Sequence, residues 1–419
     1  MWVRPGTAGP AFWLAAKSPR RGRVTPPAVP PDHSSKLRLL ARVIVRVGLN
    51  LQPGQRLLVA EPYELQGVSR AAEKLVEAVK VAALHAGAQD ATVLWGDPER
   101  LRGFVEQRDW RGLGRILAAN TQLLHDYVRE GGAVLFLQSS HLHLLEGLDP
   151  GAVNEFRHRV WEYFGPVAQK LTGGITNWTV ASAPTPEWAD AVYADRPEPR
   201  RLEALWEDVF AAMRIDQPDP LAAWEDHVAA LRARAQELNR RRPASLRYVG
   251  AGTDLTVGLP PEHVWCSACL QTRTGRPFVA NLPTEETFTA PHRDSANGRV
   301  RVSRPVNYGG TVLDGIELEF KRGRVVRAGA RTGEALLRRL LETDDGAARL
   351  GEVAIVAPGS TLARSGRLFF NPLLDENATS HLALGESYSF CHASPETAPL
   401  NRSLVHVDLP VAAEVELRP

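Results

Sequence analysis

Between Arg56 and Trp95 the chain passes from a short apolar stretch, "RLLVA", through "VSRAAEKLVEAVKVAALHAGA", to a second apolar stretch, "ATVLW". The middle segment repeats its apolar residues at helical spacing and stops at Gly87. Parallel strands need a crossover of a dozen or more residues, usually a helix, whereas antiparallel strands need only a turn. Strand, helix and strand in this order therefore predict a βαβ unit and a parallel sheet with helices on its faces. Neighbouring segments extend the pattern. "SKLRLLARVIVRVGLNL" reads as a helix closing at Gly48, ahead of a Pro53-Gly54 turn. "AVLFLQ", after Gly131-Gly132, and Trp178 to Ala183 are two more strands.

After the helix predicted over 219–241 the texture changes. "LRYVGAG", "DLTVGL", "RVRVSRPV", "EVAIVA" and "LVHVDLP" are short strands, and "IELEFKRGRVVRAG" alternates with period two around an Arg322-Gly323 hairpin turn. One helix, "TGEALLRRLLETDDGAARL", interrupts them. The expected fold is an α/β N-terminal domain with a parallel sheet over 36–245, then an α+β C-terminal metal-binding domain over 246–419. Residues 1–35 carry no acid before Asp32 and read as a disordered extension or a start assigned too early.

Charge narrows the function. The chain has 50 basic and 48 acidic residues, a formal net charge of +2, which gives no reason to expect nucleic acid or an anionic membrane as partner. Three cysteines make a disulfide framework improbable and point to a reducing cytoplasm. No apolar run of about 18 residues marks a membrane span.

The chemistry-bearing residues lie in the second half. "DENATSHLALGESY" gathers carboxylates, an imidazole and a phenol within one short stretch, including Glu376, His381 and Tyr388. In "VHVD", residues two apart on a strand point to one face, so His406 and Asp408 project together while Val405 and Val407 face the core. Glu285 and Glu286 are adjacent, so at most one of them enters a given site. Glu352 opens the apolar run "EVAIV", where an unpaired buried carboxylate is costly, unless it stays solvated at the strand end. Oxygen and imidazole ligands without a thiolate suit Zn²⁺, Mn²⁺ or Co²⁺. The number of ligands suits two ions better than one.

"PTEETFTAP", "LGEVAIV", "DENATSHLALGESY" and "HVD", in that order, resemble the aminopeptidase T / aminopeptidase S family of dinuclear metallo-aminopeptidases, as do "VGLNLQPGQRLLV", "PTPEWA" and "GTDLTVGLP" upstream. The resemblance spans roughly residues 36–408. It implies a homodimer that releases the N-terminal residue of peptides through a hydroxide held on two divalent ions. It implies Glu286, Glu352, His381, His406 and Asp408 as ligands, Glu352 being the bridge. Glu376 is then a sixth ligand or an acid/base group, and Tyr388 assists catalysis. The segment "CHASPETAPLNRS" is shorter than the family's usual connection, and no Met-Ile-Gly follows "HVDLP". These departures leave an alternative, a non-catalytic or retargeted homologue. "CSAC", Cys266 to Cys269, lacks a second pair to complete a zinc site, with Cys391 alone and distant, and reads as an incidental loop.

Overall fold

The computed structural model describes residues 32–419 except 62, 64–65, 309–310 and 358. The expected N-terminal extension lies outside these residues up to position 31.

The predicted βαβ unit forms. Strands Arg56–Ala60 and Asp90–Val93 pair in parallel, joined through helix Glu73–His85. Ala133–Gln138 pairs in parallel on the other side of Arg56–Ala60, and Trp178–Ser182 follows it. A fifth parallel strand, Asn281–Leu282, arrives from much later in the chain. Leu57, Leu58 and Val59, and Ala133 to Leu137, are buried without alternation, because helices cover both faces of such a sheet. One face packs on His33–Val43 and Glu73–His85; the other packs on Trp110–Arg129 and Pro150–Thr172. Aspartate caps start three of the long helices, Asp109, Asp149 and Asp219 each accepting a first-turn backbone N–H.

From Ser245 onward the pairing is antiparallel. Ser245–Gly250, Thr253–Gly258, Asn297–Arg301, Glu317–Lys321, Arg324–Gly329 and Glu414–Arg418 make a six-stranded sheet. In the 322–323 hairpin Arg322 and Gly323 both take positive φ, at 49° and 76°, which the twist of a tight hairpin favours. A second sheet runs, in spatial order, His406–Pro410, His381–Gly385, Leu350–Val356, Glu286–Thr289 and Cys266–Ser267. A single core lies between the two sheets. Leu246, Leu255, Val300 and Leu318 meet Val353, Leu382, Leu384, Val407 and Leu409 there. Among the described residues no helix is long and apolar enough to cross a membrane.

Candidate metal centre

The second antiparallel sheet sorts its side chains by alternation. Val353 sits opposite Leu382, Leu382 opposite Leu409, and Leu384 opposite Val407, all facing the core. The residues between them, Glu286, Glu352, His381, His406 and Asp408, therefore share the other face. Ala354, Ala383 and Gly385 are interleaved with them on that face and are too small to fill the space they bound. A register shift between Leu350 and Glu352 aims the Glu352 carboxylate, as bulges beside active sites do. Glycine is required at Gly351, where a Cβ would stand 2.3 Å from the carbonyl oxygens of Gly385 and Glu386. Gly385 combines φ of +101° with a Cβ position 1.8 Å from the Val405 oxygen, so a side chain there would force the His406 strand away.

The functional atoms converge. His381 Nε2 lies 3.2 Å from Glu286 Oε2, 3.5 Å from Glu352 Oε1 and 3.9 Å from Asp408 Oδ1. His406 Nε2 lies 3.4 Å from Asp408 Oδ1 and 3.9 Å from Glu352 Oε2. Glu352 thus turns one oxygen toward each imidazole. It is only 5% exposed, so the solvated reading of this residue fails: it is the third residue of its strand, inside the protein. The two rings are oriented alike. His381 Nδ1 is 3.1 Å from the Glu376 carbonyl and His406 Nδ1 is 3.0 Å from the Glu386 carbonyl. A carbonyl only accepts, so each Nδ1 carries the hydrogen and each Nε2 faces the carboxylates, the arrangement of metal-binding histidines.

Glu376 ends the short helix Pro372–Glu376, started by Asn371, whose side chain accepts from the Leu374 N–H. Its carboxyl lies within hydrogen-bonding reach of Asp408. Asn377, fully buried, holds the two carboxylate-bearing segments together. Its Oδ1 accepts from the Glu285 N–H at 2.7 Å, and its Nδ2 donates to the Leu373 carbonyl at 2.8 Å. Tyr388 stacks on Phe390 and has its ring centre 5.2 Å from that of His406. Glu285 points away from Glu286, to Arg214 Nη2 at 2.8 Å and His227 Nε2 at 3.6 Å.

Burial and neighbouring charge act together on Glu376 and Tyr388 and against each other on His406 and Asp408. Burial, then the nearby carboxylates of Asp408 and Glu286, hold the Glu376 carboxyl well above its ordinary range. Burial, then Glu352 and Asp408, do the same to the Tyr388 phenol. Burial favours neutral histidine at 406, but the carboxylates of Asp408 and Glu352 outweigh it and raise that imidazole to about 9. Burial pushes Asp408 upward too, yet His406 and His381 prevail and bring it to about 2. Glu286 Oε2 is buried and accepts no hydrogen bond of adequate geometry. Burial disfavours a charged His381, but Glu286 and Glu352 outweigh it and hold that imidazole well above its ordinary range. The carboxylates thus demand positive charge at Nε2, which a proton supplies and a metal cation would replace. Ligand atoms of Glu286, Glu352 and His381 all lie within 4.8 Å of one another, so the residues fit a metal.

Three features escaped the sequence reading. Cys391 is not distant from the "CSAC" segment: its Sγ donates toward the Cys266 Sγ at 3.8 Å, both thiols being buried. Nor is that segment a loop, because Cys266–Ser267 is the edge strand of this sheet and Cys269–Gln271 pairs with Pro277–Val279. Long-range pairing of this kind leaves no local periodicity to read. The third is a cavity of about 1260 Å³ that opens from Glu376, Tyr388, His406 and Asp408 and reaches Glu61, Gln138 and Ser139 on the parallel sheet.

Buried oxygen and imidazole donors at the wall of such a cavity are the donor set that a metal-dependent hydrolase uses. Residues 33–416 match the thermophilic metalloprotease family (M29), and the chain belongs to that family. It is 41% identical over 384 residues to aminopeptidase T of Thermus thermophilus, covering 90% of this chain and 92% of that protein. It is 33% identical over 398 residues to aminopeptidase AmpS of Bacillus subtilis, covering 91% and 93%. The solved structure of wild-type AmpT from Thermus thermophilus superposes with a TM-score of 0.83 at 39% identity, over 91% of this chain and 94% of that one. The chain is a metallo-aminopeptidase, a hydrolase that takes peptides as substrates and for which the family implies a divalent metal.

Proposed function

We propose that the chain releases the first residue of peptides using two divalent ions, zinc, cobalt or manganese, held by Glu286, Glu352, Glu376, His381, His406 and Asp408. The observation that carries this reading is the meeting of both imidazole Nε2 atoms with the two oxygens of Glu352, beside the unpartnered Glu286 Oε2. Charge supports the count. With every ligand deprotonated, as metal binding requires, the four buried or half-buried carboxylates Glu286, Glu352, Glu376 and Asp408 would carry −4 beside two neutral imidazoles, and two divalent ions would supply +4. One ion leaves −2 inside the protein, which costs several kcal/mol per unpaired charge.

When bound, the ions supply Lewis acidity and a water acidic enough to act as nucleophile at neutral pH. The protein does the rest. The Glu376 and Glu386 carbonyls fix the imidazole rings. Tyr388, kept neutral by its surroundings, retains a hydroxyl proton to donate to the oxygen that becomes negative as the peptide carbonyl is attacked. Glu376, at the wall of the cavity, takes up the proton released by the attacking water and passes it to the leaving amine. The homodimer that the resemblance implies belongs to the same reading, and sedimentation of the purified chain tests it.

Elemental analysis of the purified protein, paired with an aminoacyl p-nitroanilide panel, tests the main reading. The expected result is two ions per chain and hydrolysis that chelation removes and added Co²⁺, Mn²⁺ or Zn²⁺ restores. One ion per chain with full activity overturns the dinuclear part. Two ions without aminoacyl hydrolysis overturn the mechanism.

A further inference from the structure

The cavity at the candidate centre is bounded on its far side by the parallel sheet. Asp90–Val93 lies on one side of Arg56–Ala60, and the next strand, Ala133–Gln138, lies on the other. At such a reversal of strand order the crossover connections diverge, leaving a crevice beyond the carboxyl ends of the strands where ligands bind. Glu61 follows directly on Ala60 at this point, Ser139 directly on Gln138, and both line the cavity.

Next to these polar groups stands a continuous aromatic surface. Tyr63 meets Phe164 edge-on at 5.0 Å, and Phe164 meets Phe136 at 5.9 Å and Trp161 at 6.2 Å. Phe136 in turn meets Trp178 at 6.3 Å. All five line the cavity. The surface is rigidly backed, since Phe136 and Phe164 are each only 3% exposed and pack on Leu58, Val134 and Leu171. Tyr63 and Tyr388 line the same cavity, so the aromatic surface and the candidate centre face one continuous space. Charged side chains, the half-buried Arg293 and the exposed Asp345 and Arg402, line another part of the same cavity.

We propose that this aromatic surface is the subsite for the side chain of the substrate's first residue, and that it selects large apolar side chains. The proposal rests on the aminopeptidase reading above. An enzyme that removes only the first residue must leave no room for chain on the amino side of the scissile bond, and a packed wall does that. The departing peptide, whose length varies, needs the end that communicates with solvent, where the charged residues lie. A preformed apolar pocket with a few polar groups at its edge is how small ligands are held and oriented. In such pockets a single methylene is worth a ~10–200-fold preference.

Two tripeptide series, X-Ala-Ala and Ala-X-Ala with X as Gly, Ala, Leu or Phe, test this with the metal-loaded full chain. Expected is a rise in kcat/KM of at least about tenfold from Ala to Leu or Phe in the first series, and a nearly flat second series. Phe164→Ala should cut the Leu-over-Ala ratio at the first position by about tenfold or more. Trp161→Ala, at a half-buried position, provides the same test if the core substitution fails to fold. Preference that follows the second position, or variants that depress every substrate equally, overturns the proposal and leaves the aminopeptidase reading intact. Absence of cleavage in both series overturns both.

Discussion

The parallel and antiparallel sheets of this protein use their faces differently. In Ala133–Gln138 both faces are buried and apolar, so the strand interior serves packing and only the strand ends are free for chemistry. In His381–Gly385 one face carries Leu382 and Leu384 into the core, while the other carries His381 toward carboxylates. A sheet covered on both faces can offer a ligand only its rim, and a sheet covered on one can devote a whole face to it. Accordingly Glu61 and Ser139 stand just beyond strands, whereas Glu352, His381 and Asp408 stand within them.

The sharpest way to break this contrast is a pair of truncations. His381→Ala should lower kcat/KM by more than the ~10–100-fold that loss of a mere supporting residue costs at a metal site, and should reduce bound metal. Leu135→Ala should instead destabilise by about 2–5 kcal/mol while folded molecules keep their turnover. Denaturant titration, metal analysis and kinetics on both variants decide. If His381→Ala proves as stable and active as the parent, the division of labour between the sheets is wrong. Next in size is Tyr388→Phe, which should lower kcat by about 10²–10³ with metal content unchanged. Loss of metal in that variant would make the phenol a structural support.

The smallest effect concerns the seam behind Glu286. His227 comes from helix Pro220–Arg241 and packs near Glu285, its Nε2 donating to the Thr284 carbonyl at 2.7 Å. Burial, then the Arg214 guanidinium, hold this imidazole below its ordinary pKa of 6.5. Below that pH the unfolded chain takes up a proton that the folded chain refuses, so stability is lost as pH falls through the 6.5 region. His227→Gln removes this contribution. Its melting temperature should therefore drop less than the parent's between pH 7 and pH 5; an equal drop would place the acid sensitivity elsewhere.

Much of this was legible in the sequence, for identifiable reasons. The helix around Leu75, Val76 and Val79 and the strand around Leu57 declare themselves by periodicity alone. The spacing of His406 and Asp408 put both on one side of a strand, and adjacency placed Glu285 and Glu286 on opposite sides. What stayed hidden depends on register and on distant partners. Nothing near Asn281 says that it completes a parallel sheet with Trp178–Ser182. Cys391 approaches Cys266 only because the turn after the His381 strand folds back over the sheet edge. The role of Asn377 is invisible for the same reason, since its partners are backbone atoms some ninety residues away and its own helix end. At Glu352 the sequence left a solvated strand end open beside the ligand reading, and the bulge at Gly351 puts the carboxylate inside.

The strict division of the His381 strand between imidazole and leucine makes assembly of the site a test of correct folding. Sliding that strand by one position would present hydrocarbon to the cluster of carboxylates and bury the imidazole among Val353 and Leu409. A divalent ion that finds its ligands only in the true alignment adds its affinity to that alignment and to none of the competing ones. A metal bound there would act, before any peptide arrives, as a selector among ways of weaving the chain.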